Sequence, residues 1–252
     1  VYIVKGVCKT SNYTATVFMS VISMLILALL VKRNKTLSKS AKHGIIMTAV
    51  LVSLCAVMER GGVALNHADS SLRILHIIIK FIELSVAPII PIAFSNAFYS
   101  VKKRYDAFLP AIINTVLLIF SVYYGTIFYV DTNNVYHHGI LYAVYYITIF
   151  LGVLFLIYTV VSYAVRVQNR NRISLVLILF FVMGAVVLQI FNDSIRIVWL
   201  TVAIGMILFY IYYCNMILQV DVLTELLNRR SYDAQLQITK VPAVIIFFDI
   251  ND

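Results

Sequence analysis

Apolar residues fall along this chain in long blocks separated by short polar interruptions. An α-helix needs about 20 apolar residues to cross a hydrocarbon core about 30 Å thick. Reading for runs of that length gives seven: 14–31, 44–65, 74–101, 107–129, 140–165, 173–191 and 197–218. The sixth is the shortest, and only Asn192–Arg196 separates it from the seventh, so these two are predicted to form a transmembrane hairpin. The pattern predicts an all-α transmembrane bundle of seven helices over residues 1–218, followed by a short α/β segment over 219–252.

Composition strengthens that reading. The chain is 62% hydrophobic and 12% charged, about half the charged fraction of a soluble domain. Its net charge of +9 would suggest nucleic acid in a soluble protein. Here the basic residues lie in short loops between apolar blocks, so they act as topology signals and no nucleic-acid partner is expected. The first loop carries Lys32, Arg33, Lys35, Lys39 and Lys42, the third Lys102, Lys103 and Arg104, the fifth Arg166, Arg170 and Arg172. The second, fourth and sixth loops hold Asp69, Arg73, Asp131, Asp193 and Arg196. The positive-inside rule then puts the N-terminus outside and everything after Leu218 in the cytoplasm.

Some chemistries are disfavoured. Cys8, Cys55 and Cys214 are odd in number and form no CxxC, which supports neither a disulfide framework nor a thiolate metal site. The last span holds no Lys for a retinal Schiff base. Internal repeats of the transporter kind are missing, and a broken-helix signal occurs only in the third span. His137 and His138 are adjacent in the fourth loop but lack a third ligand at metal-site spacing; interfacial Tyr and His residues are the ordinary reading there.

Ionisable groups inside spans are costly and mark cavities, pathways or paired charges. Lys80 and Glu83 stand three apart in the third span, followed by Pro88 and Pro91, which are expected to kink the helix. Glu59 and Arg60 end the apolar part of the second, beside Gly61 and Gly62. Two readings stand side by side. In one, Lys80 snorkels outward and pairs with Glu83 or Glu59, closing the second and third helices together. In the other, Glu59, Arg60, His76, Lys80 and Glu83 line a signal-binding pocket in the outer half of the bundle.

Behind the last span comes DVLTELLNRRSYDAQL, with no Gly/Ser/Pro linker between, so the helix is expected to deliver its orientation stiffly. Asp221, Thr224 and Asn228 have the chemistry to cap backbone N–H groups, and Arg229 or Arg230 to pair back to Asp221. A helix is predicted over about 229–238, then a buried strand in VPAVIIFFDI that ends at Asp249. An acid at the carboxyl end of such a strand is where α/β sheets place metals and phosphates.

The pattern D-x-L-T-x-L-x-N-R-R, filled by Asp221, Leu223, Thr224, Leu226, Asn228, Arg229 and Arg230, together with the strand closing on Asp249, resembles the opening of a GGDEF domain, the diguanylate cyclase family. The resemblance covers about thirty residues. Glu225 stands where the family commonly has Gly, and Asn251 where it commonly has a second acid, so no metal role is carried to Asn251. The resemblance implies that Asp249 and the backbone carbonyl of Ile250 bind Mg²⁺. It implies that the complete domain joins two GTP molecules into cyclic di-GMP, that the protein pairs as a homodimer, and that it sits in a bacterial cell membrane. The alternative is a receptor- or transporter-like protein whose degenerate GGDEF domain binds GTP as a regulator. Both ends of the chain are expected to be cut. The GG[DE]EF loop would lie beyond Asp252, so the chain by itself is expected to be inactive as a cyclase.

Overall fold

A computed structural model describes residues 2–97, 105–166, 172–192 and 196–219, together with 228, 229, 232 and 233. The elements run α1 (Tyr2–Arg33), α2 (Lys39–Leu65), α3 (Arg73–Val86), α4 (Ile89–Ser95), α5 (Leu109–Tyr124), β1 (Phe128–Val130), β2 (Tyr136–His138), α6 (Tyr142–Arg166), α7 (Arg172–Phe191) and α8 (Val198–Ile217). Among the described residues six helical segments are long and apolar enough to cross a membrane: Tyr13–Arg33, Lys39–Leu65, Ser70–Ser95, Asp106–Tyr124, Tyr142–Tyr163 and Val198–Ile217. In α7 the apolar stretch Ile173–Gln189 is shorter. Large apolar side chains such as Phe18, Leu29, Phe120, Phe150 and Phe180 face outward, as they do when lipid is the solvent.

The helices pack α1 on α2, α2 on α3, α4 on α6 and α7 on α8, and α8 closes back onto α1. The core between them is built from Leu27, Val31, Ile45, Val52, Met206 and Phe209. At the end of α1, the Asn34 amide donates to the Tyr210 hydroxyl at 3.0 Å and to Cys214 Sγ at 3.4 Å, tying the first helix to the last. Ser38 starts α2 by accepting from the Ala41 N–H at 3.1 Å, a standard way to satisfy an orphan donor at a helix N-terminus.

The kink expected in the third apolar block is a break. Pro88 has no N–H, so the Leu84 carbonyl loses its partner one turn back. The Asn114 amide, from α5, donates to that carbonyl at 3.1 Å. Ala87 N–H still reaches Glu83 O at 3.0 Å, and Ile90 N–H takes Ala87 O at 3.2 Å in a tightened turn. Backbone satisfaction is obligatory inside a membrane protein, and here a side chain from the neighbouring helix provides it.

The fourth block departs from the all-α expectation. It was expected to be helical through residue 129, but α5 stops at Tyr124, and Gly125 (φ +67°) turns the chain out of the helix in a left-handed conformation. The Ser121 hydroxyl then accepts from the N–H groups of Ile127 (2.8 Å) and Phe128 (2.9 Å), and donates to Phe128 O at 2.9 Å. Phe128–Val130 pairs antiparallel with Tyr136–His138, in register Phe128↔His138 and Val130↔Tyr136. The bundle therefore carries a small β-hairpin between α5 and α6.

Beyond α8, Asn228 folds back on the helix end. Its side-chain amide donates to Leu218 O at 2.7 Å and its N–H to Gln219 O at 3.0 Å. Asn228 is expected from the sequence to cap N–H groups; its described contacts serve the Leu218 and Gln219 carbonyls just past the helix end. Arg229, Tyr232 and Asp233 are helical, with Tyr232 N–H on Asn228 O at 2.9 Å. Asp221, Leu223, Thr224, Leu226, Arg230, Asp249 and Ile250 lie outside the described residues, as do the basic residues Lys102, Lys103, Arg104 and Arg170.

Candidate functional site

The described part of the bundle holds a cavity of about 820 Å³, within the range of small-molecule sites, about 300–1,000 Å³. Its walls come from α2, α3, α4, α6, α7 and α8, and its roof from β2. One end is apolar, lined by Phe94, Leu156, Ile178 and Phe209. The hairpin end is polar and aromatic, with Glu59, Lys80, Glu83, Gln189 and Arg196 among tyrosines and Trp199.

Two acid–base pairs sit at this end, and their geometry differs. Lys80 Nζ meets Glu83 Oε2 at 2.8 Å, with both residues buried. The ammonium also lies 4.9 Å from the Tyr136 ring centroid, where the ring face attracts a cation. Lys80 reaches this position because Gly62 leaves room: a Cβ there would stand 2.5 Å from Lys80 Cε. The second pair is loose. Glu59 Oε1 has the Gln189 amide nitrogen at 3.4 Å and Arg196 Nη1 at 3.7 Å, although Glu59 is 6% exposed. Gln189 Oε1 is itself buried without a hydrogen-bond partner.

The roof is held by a dense network. Asn134, fully buried and in the left-handed region (φ +57°), donates its side-chain amide to Leu65 O (3.0 Å), Asp69 O (3.2 Å) and Ala68 O (3.4 Å). Its Oδ1 lies 2.9 Å from His76 Nδ1. An amide oxygen only accepts, so the His76 proton is assigned to Nδ1. Asn66 Oδ1 accepts from Tyr136 N–H at 3.0 Å. Asp131 holds the turn by accepting from the N–H groups of Asn133 (2.9 Å) and Val135 (2.8 Å), and its other oxygen is 3.1 Å from His137 Nε2. The Val135 N–H, with smaller help from His137 and Asn133, holds the Asp131 carboxyl below its ordinary value. Burial pushes the Tyr136 phenol well above its own. His138 stacks on Tyr142 with centroids 3.7 Å apart.

Of the five residues that sequence reasoning grouped as a signal pocket, the fold brings Glu59, Lys80 and Glu83 to one cavity wall. Arg60 points elsewhere, donating to the Thr14 hydroxyl at 2.9 Å. His76 serves the roof through Asn134. Lys80 does not snorkel outward, as one reading expected; it is buried on Glu83 because Tyr136 and Gly62 make an interior berth for it. Among the described residues no group of three or more His, Cys, Asp or Glu is placed to hold a metal ion. Sequence reasoning missed Tyr142, Tyr145, Tyr146, Gln189 and Trp199. The signal was present: tyrosines at i, i+3 and i+4 on one helix face, a lone amide near the end of an apolar block, and the single Trp of the chain.

No protein-family model matches the chain, and no curated protein or solved structure matches it either.

Proposed function

We propose that the protein is a membrane-bound signalling protein in which a seven-helix sensor, with α7 as its sixth span and α8 as its seventh, controls a GGDEF-type output domain that makes cyclic di-GMP from two GTP. One observation carries this reading. The helix that lines the cavity through Trp199, Val202, Gly205, Met206 and Phe209 is the helix just past whose end the Leu218 and Gln219 carbonyls are taken by Asn228 of the DVLTELLNRR motif. In this reading a change in the cavity that tilts or turns α8 acts on Asn228 and so on the start of the output segment.

In this reading the hairpin end of the cavity faces outside and the motif lies in the cytoplasm, as the basic loops suggest. Asp249 and the Ile250 carbonyl would hold Mg²⁺, which supplies charge stabilisation during phosphoryl transfer. The reaction needs one GTP from each of two domains, so the working unit is a homodimer.

The test is cyclic di-GMP formation in membranes carrying the protein together with any coding sequence that follows Asp252. Conversion of GTP, lost on Asp249→Ala with membrane insertion intact, is the expected result. GTP binding without conversion would favour the regulator alternative, and neither binding nor conversion would remove the GGDEF reading altogether.

A further inference from the structure

We propose that the cavity binds an amphipathic amine, with its protonated amino group on Glu59 and its apolar body running toward Phe209. This deepens the sensor reading and rests on it, because it names what the sensor would take. The argument begins with hydrogen-bond inventory. Glu83 already has a close counter-ion in Lys80 at 2.8 Å, so its charge is compensated, although both residues line the cavity. Glu59 is buried to nearly the same degree, yet its nearest cation stands at 3.7 Å and its nearest amide donor at 3.4 Å; the buried Tyr13 hydroxyl also stands beside this carboxylate without reaching hydrogen-bond geometry. Both distances exceed the 2.7–2.9 Å of a charge-assisted hydrogen bond. Beside it Gln189 Oε1 is a buried acceptor with no partner. Two under-served acceptors at one place call for a group rich in donors, and an ammonium offers three.

The surroundings favour the same charge. Tyrosines and Trp199 line this end of the cavity, and their ring faces attract cations. Arg196, at a third of full side-chain exposure, beyond hydrogen-bond range of Glu59 and 5.7 Å from the Tyr13 ring centroid, gives way to the amine in this proposal. Its long side chain has solvent to move into. The rest of the cavity is apolar, so the amine must carry an aliphatic or aromatic body to fill it. Lateral entry between α6 and α7 fits this proposal, because α6 packs chiefly on α4 and α7 on α8 while both line the cavity. A ligand already dissolved in the membrane reaches Glu59 by that route.

Trp199 lines the cavity and is the only tryptophan of the chain, which provides the readout. The purified protein in tryptophan-free detergent micelles is titrated with dodecylamine, dodecanol and dodecanoate while Trp199 emission is followed. Saturable binding of dodecylamine at least about tenfold tighter than either control is expected, and Glu59→Gln is expected to weaken it by about tenfold. The head-group series uses the unmodified protein, so the proposal can fail even where the variant does not fold. Dodecanoate or dodecanol binding as tightly as the amine, or a folded Glu59→Gln variant with unchanged amine affinity, would overturn the amine assignment while leaving the cavity a ligand site. Saturable binding of none of the three would remove both the proposal and the use of this cavity as the sensor's pocket. Loss of cyclase output alone would touch neither.

Discussion

The roof of the cavity and the charged wall beside it stand at the same end of the bundle, yet they treat polar groups in opposite ways. In the roof, Asn134 and Asp131 are matched to partners mostly at 2.8–3.2 Å. In the cavity wall, Lys80 and Glu83 follow the same rule at 2.8 Å, and Glu59 breaks it, with contacts at 3.4 and 3.7 Å. A buried polar group that is fully paired specifies structure, and one that is underpaired is free to specify something else. The contrast separates the residues that hold the site together from Glu59, the buried charge whose partners stand far off; His76 Nε2 in the roof and Gln189 Oε1 in the wall are likewise buried without partners.

Substitutions in the wall and the roof, and one pH titration, can break or sharpen that contrast. The largest effect is expected at Lys80→Leu, which strands the Glu83 carboxylate in the interior and should cost about 3–5 kcal/mol in unfolding free energy. The double variant Lys80→Leu/Glu83→Leu should recover most of that loss. Next is Asn134→Ala, which leaves backbone carbonyls and His76 without partners in a strained turn; about 3 kcal/mol is expected. Asn134→Gly relieves the backbone strain alone, so it should recover no more than about 1 kcal/mol of that. Asn114→Ala uncovers the Leu84 carbonyl beside Pro88 and should cost about 1–3 kcal/mol. Glu59→Gln is expected to cost less than about 1 kcal/mol, because little holds the carboxylate in place. Equal costs at Glu59 and Lys80 would end the distinction between structural and spare charge.

The smallest expected effect is a pH dependence in the turn. The Asp131 carboxyl titrates below its ordinary value of 3.8 when folded. Its contribution is therefore complete above that value and lost as pH falls through the lower, folded one. Hydrogen exchange at the Asn133 and Val135 amides, corrected for intrinsic rate, should show constant protection from neutral pH down to the ordinary carboxylate value and a decline only below it. A decline beginning near neutral pH would show that the Asp131 carboxyl does not control the turn.

Much of the helical framework was legible because block length is a strong signal. The blocks around 44–65, 140–165 and 197–218 match α2, α6 and α8 within a few residues. The Pro88 break was legible too, since proline removes a donor wherever it stands. Its repair was not: Asn114 lies 30 residues from Leu84, and nothing local pairs the two. The hairpin was hidden for a related reason. Phe128–Val130 is as apolar as the helix before it, and what turns it into a strand is Ser121, Gly125 and the partners of Asn134. Within the site, Glu59, Lys80 and Glu83 stood out because charges in apolar blocks are rare. The tyrosines did not, because tyrosine is also the ordinary residue of a membrane interface.

The Asn134 turn also bears on how the chain assembles. Its partners Leu65, Ala68, Asp69 and His76 precede it by 58 to 69 residues. The turn cannot close until the end of α2 and the start of α3 are already together, and contacts of such long sequence separation form late. Closure of the hairpin is thus expected late in folding, after the end of α2 and the start of α3 have come together. Chains arrested there would present the open mouth of the cavity, with the unpaired strands of the hairpin beside it, to the cell's quality-control proteases.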